Sequence, residues 1–298
     1  MKNVLLIIGG PTGSGKTALA IELAEIYKTE IISADSRQCF REMNIGTAKP
    51  SNAELSRVKH HFINSHSIHD HFSAGIFAGE ASSLLEELFK IHKVVIAVGG
   101  TGLYLKALTE GLDQLPQVTP EVRKRVKNIY EAEGLPGLID IIKSLDVDYL
   151  NKVDKNNYAR LMRAAEIILS SNKSYSSHLS SPKKKLDFNT MSFVIDLPRE
   201  LLYERINARV DSMINEGLEN EVKGLYPYKS NTSLHTVGYT EFFDYFDGKT
   251  TLEKAVELIK QHSRNYAKRQ ITWFKHQGDY TFLNKDEIRT MILDNIQP

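Results

Sequence analysis

The chain has 298 residues, 41% of them apolar, and its 38 lysines and arginines almost balance 37 aspartates and glutamates. That length supports one large or two ordinary domains with a substantial core, and the near-zero net charge argues against a uniformly basic nucleic-acid binder, leaving only local patches for such a role. A single cysteine, Cys39, excludes a disulfide framework and cysteine-rich zinc modules; with no apolar run near the length of a membrane span and no secretory leader, the chain reads as a soluble cytoplasmic protein with no membrane partner.

In chain order, the apolar run Val4–Ile8 predicts a buried strand and Ala18–Tyr27 a helix. Between them stand Gly10, Pro11, Thr12, Gly13, Ser14, Gly15, Lys16 and Thr17, the phosphate-loop pattern in its strand–loop–helix setting. Glycines let successive N–H groups converge on one anion, and the helix N-terminus adds its dipole. Lys16 reaches the outer phosphate oxygens, and the Thr17 hydroxyl is placed to ligate Mg²⁺. The loop specifies a di- or triphosphate without specifying its fate.

A second strand, Ile31–Ile32, leads into Asp35, Ser36, Arg37 and Gln38. It is expected beside the loop strand, so that Asp35 faces the phosphate site, where an acid holds Mg²⁺ through water or serves as a general base. The competing structural role is a cap on the following turn. His60, His61, His66, His69 and His71, with Asp70, lack the spacing of a helical metal pair or a zinc finger and read as polar or RNA-facing histidines. A helix over Gly79–Ile91 precedes the strand Val94–Val98, which runs into Gly99-Gly100-Thr101-Gly102-Leu103-Tyr104. Hydrolytic phosphate-loop enzymes usually place an acid there to organise water; its replacement by small residues favours a diphosphate used as a leaving group.

From Gln114 to Ser181 the strand signal vanishes, and helices are expected over Glu121–Ala132, Leu135–Ser144 and Asn157–Leu169. The fold class is therefore α/β: a phosphate-loop nucleoside-triphosphate-hydrolase-like parallel sheet over 1–113 and 186–298, with a helical insertion at 114–185. The return path Ser170–Pro182, seven serines in thirteen residues and followed by three lysines, reads as a flexible hinge or an inert surface loop. A strand at Phe193–Ile195, helices at Arg199–Glu216, Gly217–Leu225 and Thr251–Phe274, and a last strand at Tyr280–Leu283 complete the core. Basic groups cluster locally: Arg123, Lys124, Arg125 and Lys127; Arg160 and Arg163; Arg205 and Arg209; and Lys260, Arg264, Lys268, Arg269 and Lys275 among Tyr266, Trp273 and Phe274. Cations position phosphates and aromatics stack on unpaired bases, so together with a phosphate loop these patches point toward RNA.

In order along the chain, Gly10–Thr17, the block IISADSRQCFREMNIGTAKP at 31–50, His60-His61, Gly99–Tyr104, Arg205–Val210 with Asp211 and Met213, Gly238-Tyr239 and RNYAKRQITWF at 264–274 resemble the bacterial tRNA dimethylallyltransferase (tRNA isopentenyltransferase) family over nearly the whole chain. The resemblance implies transfer of a dimethylallyl group from its diphosphate, with Mg²⁺, to the exocyclic amine of the adenosine 3′ of the anticodon, in a monomer that grips the anticodon stem-loop. It implies Asp35 and Thr101 as catalytic residues and Arg209 as a second cation at the diphosphate. Asp35, Ser36, Arg37, Gln38, Thr101, Arg123 and the run Ala159, Arg160, Leu161, Met162 and Arg163 match positions that touch RNA. The chain departs from the family at Ala159, Cys39-Phe40, His235 and Ser171-Asn172, which bears on individual RNA contacts. A phosphate-loop nucleotide or small-molecule kinase is the rival reading, supported by Asp196-Leu197-Pro198-Arg199 followed by Arg205 and Arg209.

Overall fold

Residues 2–113, 115–179 and 186–297 are described by the computed structural model. The chain divides into two compact units, residues 1–110 with 185–298 and residues 111–184. In the first unit β1 (Val4–Gly9), β2 (Ile31–Ser33), β3 (His60–His61), β4 (Val94–Gly99), β5 (Asn189–Ile195) and β6 (Thr281–Leu283) form one parallel sheet in the order β3-β2-β4-β1-β5-β6. Its helices are α1 (Lys16–Tyr27), α2 (Asn52–Arg57), α3 (Ala74–Ile91) and α4 (Gly102–Glu110) before the second unit. The second unit holds α5 (Pro120–Leu145), α6 (Val147–Leu150) and α7 (Tyr158–Ser171); after it come α8 (Arg199–Asn215), α9 (Leu218–Leu225), α10 (Thr240–Phe246), α11 (Leu252–His276) and α12 (Lys285–Asn295).

Successive strand residues point to opposite faces, and here both faces are covered, so the strands read as unbroken apolar runs. Leu6, Ile8, Ile96 and Val98 pack beneath Leu19 and Leu23 of α1 and Ile288 and Ile292 of α12. Leu5, Ile7, Val95 and Ala97 pack beneath Phe77 and Leu85 of α3, Leu105 of α4 and Phe274 of α11. Each such side chain, fully buried, contributes about 1.5–3 kcal/mol.

The expectation that β2 lies beside the loop strand is corrected by the sheet order: β4 separates β2 from β1, and β1 pairs with β4 and β5. Helical crossovers allow consecutive strands to be non-adjacent, and no local pattern in the strand itself specifies its neighbour. Asp35 nevertheless reaches the phosphate loop, because Ala34 N donates to Val98 O (2.7 Å) and Thr101 N to Ala34 O (3.2 Å), joining the ends of β2 and β4. The short β3 and the helices α10 and α12 escaped the apolar-run reading; α12 is signalled instead by the reciprocal cap between Asn284 and Glu287.

In the second unit α5 is broken at Gly134, whose φ of 66° and ψ of −149° are outside the helix, and Pro136 opens the following stretch. This divides it near the two expected helices. Val126, Leu138, Ile142, Leu161, Ala164, Ala165 and Ile168 form its core. The serine-rich segment differs from expectation in its described part, since buried Asp146 accepts from Ser176 N (2.6 Å) and Ser176 Oγ (2.9 Å) and builds a turn there. Residues 180–185, which hold the end of that segment and the three lysines, lie outside the described residues. No helix among the described residues is long and apolar enough to cross a membrane.

One half-buried contact explains why 31–50 and Gly238-Tyr239 belong together. Glu221 of α9 accepts from the backbone N–H groups of Asn44 (3.1 Å), Ile45 (2.7 Å) and Gly46 (3.1 Å), and from the Tyr239 hydroxyl (2.7 Å). Burial, with the Glu221 carboxylate beside it, pushes the Tyr239 phenol well above its ordinary range. Glu221→Ala orphans these donors and is expected to destabilise the protein by about 2–4 kcal/mol, measured by urea unfolding; an unchanged midpoint would contradict the anchoring role.

Candidate active site

The phosphate loop leaves the C-terminal end of β1 and enters α1, with Gly13 and Gly15 at φ of 81° and 89°. Side-chain-bearing residues rarely adopt these angles, and they turn the loop's amides inward. Ser14 Oγ is buried with no hydrogen-bond partner among the described residues. Lys16 Nζ donates to Pro11 O (3.2 Å) within its own loop. Burial lowers the Lys16 pKa to about 8, Asp35 opposing the shift and Arg209 adding to it. The Arg209 guanidinium, from α8, donates through Nη1 to Thr12 Oγ1 (3.4 Å), and burial holds its pKa below the ordinary value.

Thr12, Gly13, Gly15, Lys16 and Arg209 share one cavity of about 690 Å³ with Thr17, Asp35, Ser36, Arg37 and Gln38. Asp35 caps its turn and lines the cavity. Its Oδ1 accepts from Arg37 N (2.9 Å) and Gln38 N (3.3 Å), capping the turn, while Oδ2 has no hydrogen-bond partner among the described residues. Thr101 Oγ1 accepts from Ser36 N (3.1 Å), which fixes the hydroxyl beside the acid's strand end. Two members of the expected RNA strip are engaged inside the protein: Arg37 Nη1 donates to Ser233 O (2.8 Å), and Gln38 Nε2 to Thr47 O (3.2 Å) and Ala48 O (3.1 Å).

The histidines divide by role. His61 pairs with Glu30 (2.6 Å), His66 lies against the Phe72 ring at 3.9 Å, and His60 lines the cavity with its pKa lowered by burial. Of the basic stripe on α11, Lys260 is bound to Asp211 (2.5 Å) and Arg264 to Asn207 (2.6 Å), so both tie α11 to α8 rather than standing free for RNA. Arg269 lines the cavity and lies over the Tyr266 ring, whose phenol burial pushes up to about 12.

In the second unit Arg123, Ala159 and Arg160 are exposed, and Arg163 pairs with Glu166 (3.1 Å). Leu161 corrects the expectation for its run: it is wholly buried in that unit's core, with Met162 packed against it, because residues three and four apart on α7 form the apolar stripe. Its side chain presents nothing to a ligand.

The residue that sequence reasoning missed is Gln270. It is only 6% exposed, accepts from Thr12 N through Oε1 (3.0 Å) and donates from Nε2 to Gly100 O (2.9 Å). The available signal was its position on the buried stripe of α11 with Ala267 and Phe274, where an amide has no packing reason to stand.

The sequence profile described as IPP transferase matches residues 38–277. The chain is 46% identical to a tRNA dimethylallyltransferase of Christiangramia forsetii, over 100% of this chain and 98% of the relative. It is 44% identical to one of Flavobacterium johnsoniae, over 98% of each. Among solved structures, the full-length tRNA isopentenylpyrophosphate transferase of Bacillus halodurans superposes with a TM-score of 0.71 at 34% identity, covering 99% of this chain and 95% of that one. A eukaryotic dimethylallyltransferase acting on tRNA superposes at 0.83 with 27% identity, covering 98% of this chain and 79% of its own.

Proposed function

The chain belongs to the IPP transferase family and is a tRNA-modifying prenyltransferase, and we propose that it moves a dimethylallyl group from dimethylallyl diphosphate to the exocyclic amine of the adenosine 3′ of the anticodon, releasing diphosphate. The observation that carries the proposal is the single cavity in which the phosphate loop and Arg209 meet Asp35 and the acid-free end of β4. Ile206, Val210, Met213, Val237 and Ile259 line the same cavity and supply an apolar surface of the kind a five-carbon chain requires.

An exocyclic amine is a weak nucleophile because its lone pair is delocalised into the ring, so orientation and proton removal both matter. The amine nitrogen forms a bond to C1 of the dimethylallyl group as the C1–O bond breaks and its electron pair leaves with the diphosphate. Asp35 Oδ2 takes the amine proton, and Thr101 orients the base. The loop amides, Lys16 and Arg209 meet the charge that grows on the leaving oxygen. Mg²⁺ fits beside the loop: the Thr17 hydroxyl is a hard oxygen in this cavity with no hydrogen-bond partner among the described residues, and Asp35 is left to act as the base. When bound there it neutralises the departing diphosphate. The target base must leave its stack, which an anticodon loop makes easier than a duplex.

In this reading the protein is a monomer that acts on tRNA in the cytoplasm. The exposed Arg123, with Ala159 and Arg160, is assigned to the RNA backbone. Arg123→Ala is expected to weaken tRNA binding and reduce the slope of log affinity against log salt by about one unit. A turnover defect at unchanged affinity would contradict that assignment. The reaction itself is tested by incubating the protein and Mg²⁺ with unmodified tRNA and labelled dimethylallyl diphosphate, and separately with ATP. Label in the tRNA without ATP consumption is expected; ATP loss without label would replace the reading by a kinase.

A further inference from the structure

Gln270 stands where the two sides of the reaction meet. Its amide uses both of its ends: the carbonyl takes the Thr12 N–H of the phosphate loop, and the amino group is given to Gly100 O of the loop that carries Thr101. The approach is close, since a Cβ at residue 100 would fall 2.1 Å from Nε2. Each bond continues outward. Thr12 also receives Arg209, and Thr101, next to Gly100, receives the Ser36 amide beside Asp35. The helix that carries Gln270 is itself held, because a Cβ at Gly9 would meet the Phe274 ring at 2.9 Å and one at Gly102 would meet the Trp273 indole at 2.0 Å.

We propose that Gln270 is a positioning residue for prenyl transfer: its amide sets the spacing between the phosphate loop, which holds the electrophile, and the Gly99–Thr101 loop, which orients the acceptor base. The inference rests on the prenyl-transfer reading. A side chain present only for packing at this buried site would be apolar, since an amide there requires both partners to offset its desolvation. A misplacement of about 1 Å between reacting groups lowers a rate by about 10²-fold, and Gln270 is the link whose loss permits such a shift.

The test measures single-turnover transfer from labelled dimethylallyl diphosphate to tRNA by the wild type, Q270L and Q270E. The KM for the diphosphate, tRNA affinity and Tm are followed in parallel. Q270L is expected to slow the chemical step by about 10²-fold while KM and tRNA affinity stay within a few-fold. Q270E is expected to recover toward the wild type as pH falls. A protonated carboxyl repeats the amide pattern, its carbonyl accepting from Thr12 and its hydroxyl donating to Gly100, whereas the carboxylate opposes the Gly100 carbonyl. Lys16, Asp35, Arg209, Tyr266 and Arg269, the charged and ionisable groups that face this part of the cavity, are the same in both proteins, so the ratio of Q270E to wild type isolates residue 270. A wild-type rate in Q270L, or a ratio that stays flat with pH, overturns the proposal. Absence of transfer by the wild type itself would instead overturn the prenyl-transfer reading.

Discussion

Replacing Asp35 by asparagine is expected to lower turnover by about 10²–10⁴-fold while tRNA affinity is retained. The structure makes asparagine a sharper probe than alanine. Oδ1 of Asp35 caps the turn through Arg37 N and Gln38 N, and an asparagine Oδ1 can keep both bonds. Oδ2, the oxygen with no partner, becomes an amide nitrogen that cannot accept a proton. Alanine removes the cap as well, so its effect mixes a rearranged loop with a missing base. Single-turnover transfer and tRNA binding, measured together, separate the two. A D35N protein that turns over normally removes Asp35 as the base.

The second large effect is at Lys16. Methionine in its place is expected to reduce turnover by about 10³-fold, since it withdraws a preorganised cation from the departing diphosphate. The same substitution should leave the unliganded protein at least as stable as the wild type, because burying Lys16 opposes its charge and outweighs the help of Asp35 and of the Pro11 carbonyl. The pH dependence follows with a definite sign. Lys16 titrates at about 8 in the folded, ligand-free protein, against about 10.5 when exposed. Below pH 8 it is charged and ready for the diphosphate; above it, KM for the diphosphate rises. Between pH 8 and 10.5 the unfolded chain binds more protons than the folded one, so this group makes stability rise with pH, and K16M loses that increment. A K16M protein with a clearly lower Tm would show that the buried ammonium is better compensated than Asp35 and the Pro11 carbonyl can provide.

The four main apolar runs and the phosphate loop were legible because both are local. A strand buried on both faces must be continuously apolar, and the loop's glycines, Lys16 and Thr17 have meaning at fixed spacing. The break at Gly134 was legible for the same reason. Leu161 was misread because a match by position carries no information about which way a helical side chain points; its burial follows from the stripe that it forms with Ala164, Ala165 and Ile168. That Lys260 and Arg264 hold α11 to α8 was not legible, because Asp211 and Asn207, which they bind, are some fifty residues away in sequence.

The sequence alone determined that this chain carries a phosphate loop on an α/β sheet, that no acid closes β4, and that its motifs follow the order of one enzyme family. Those are properties of short segments, decided by backbone geometry and by the period of apolar residues. Only the tertiary structure decided that β4 separates β2 from β1, that Asp35 caps its turn with one oxygen while the other has no partner among the described residues, and that Gln270 joins the two loops. Each of these depends on groups far apart along the chain meeting at a few ångströms, 258 residues in the case of Thr12 and Gln270. Such meetings are selected by packing the whole core at once.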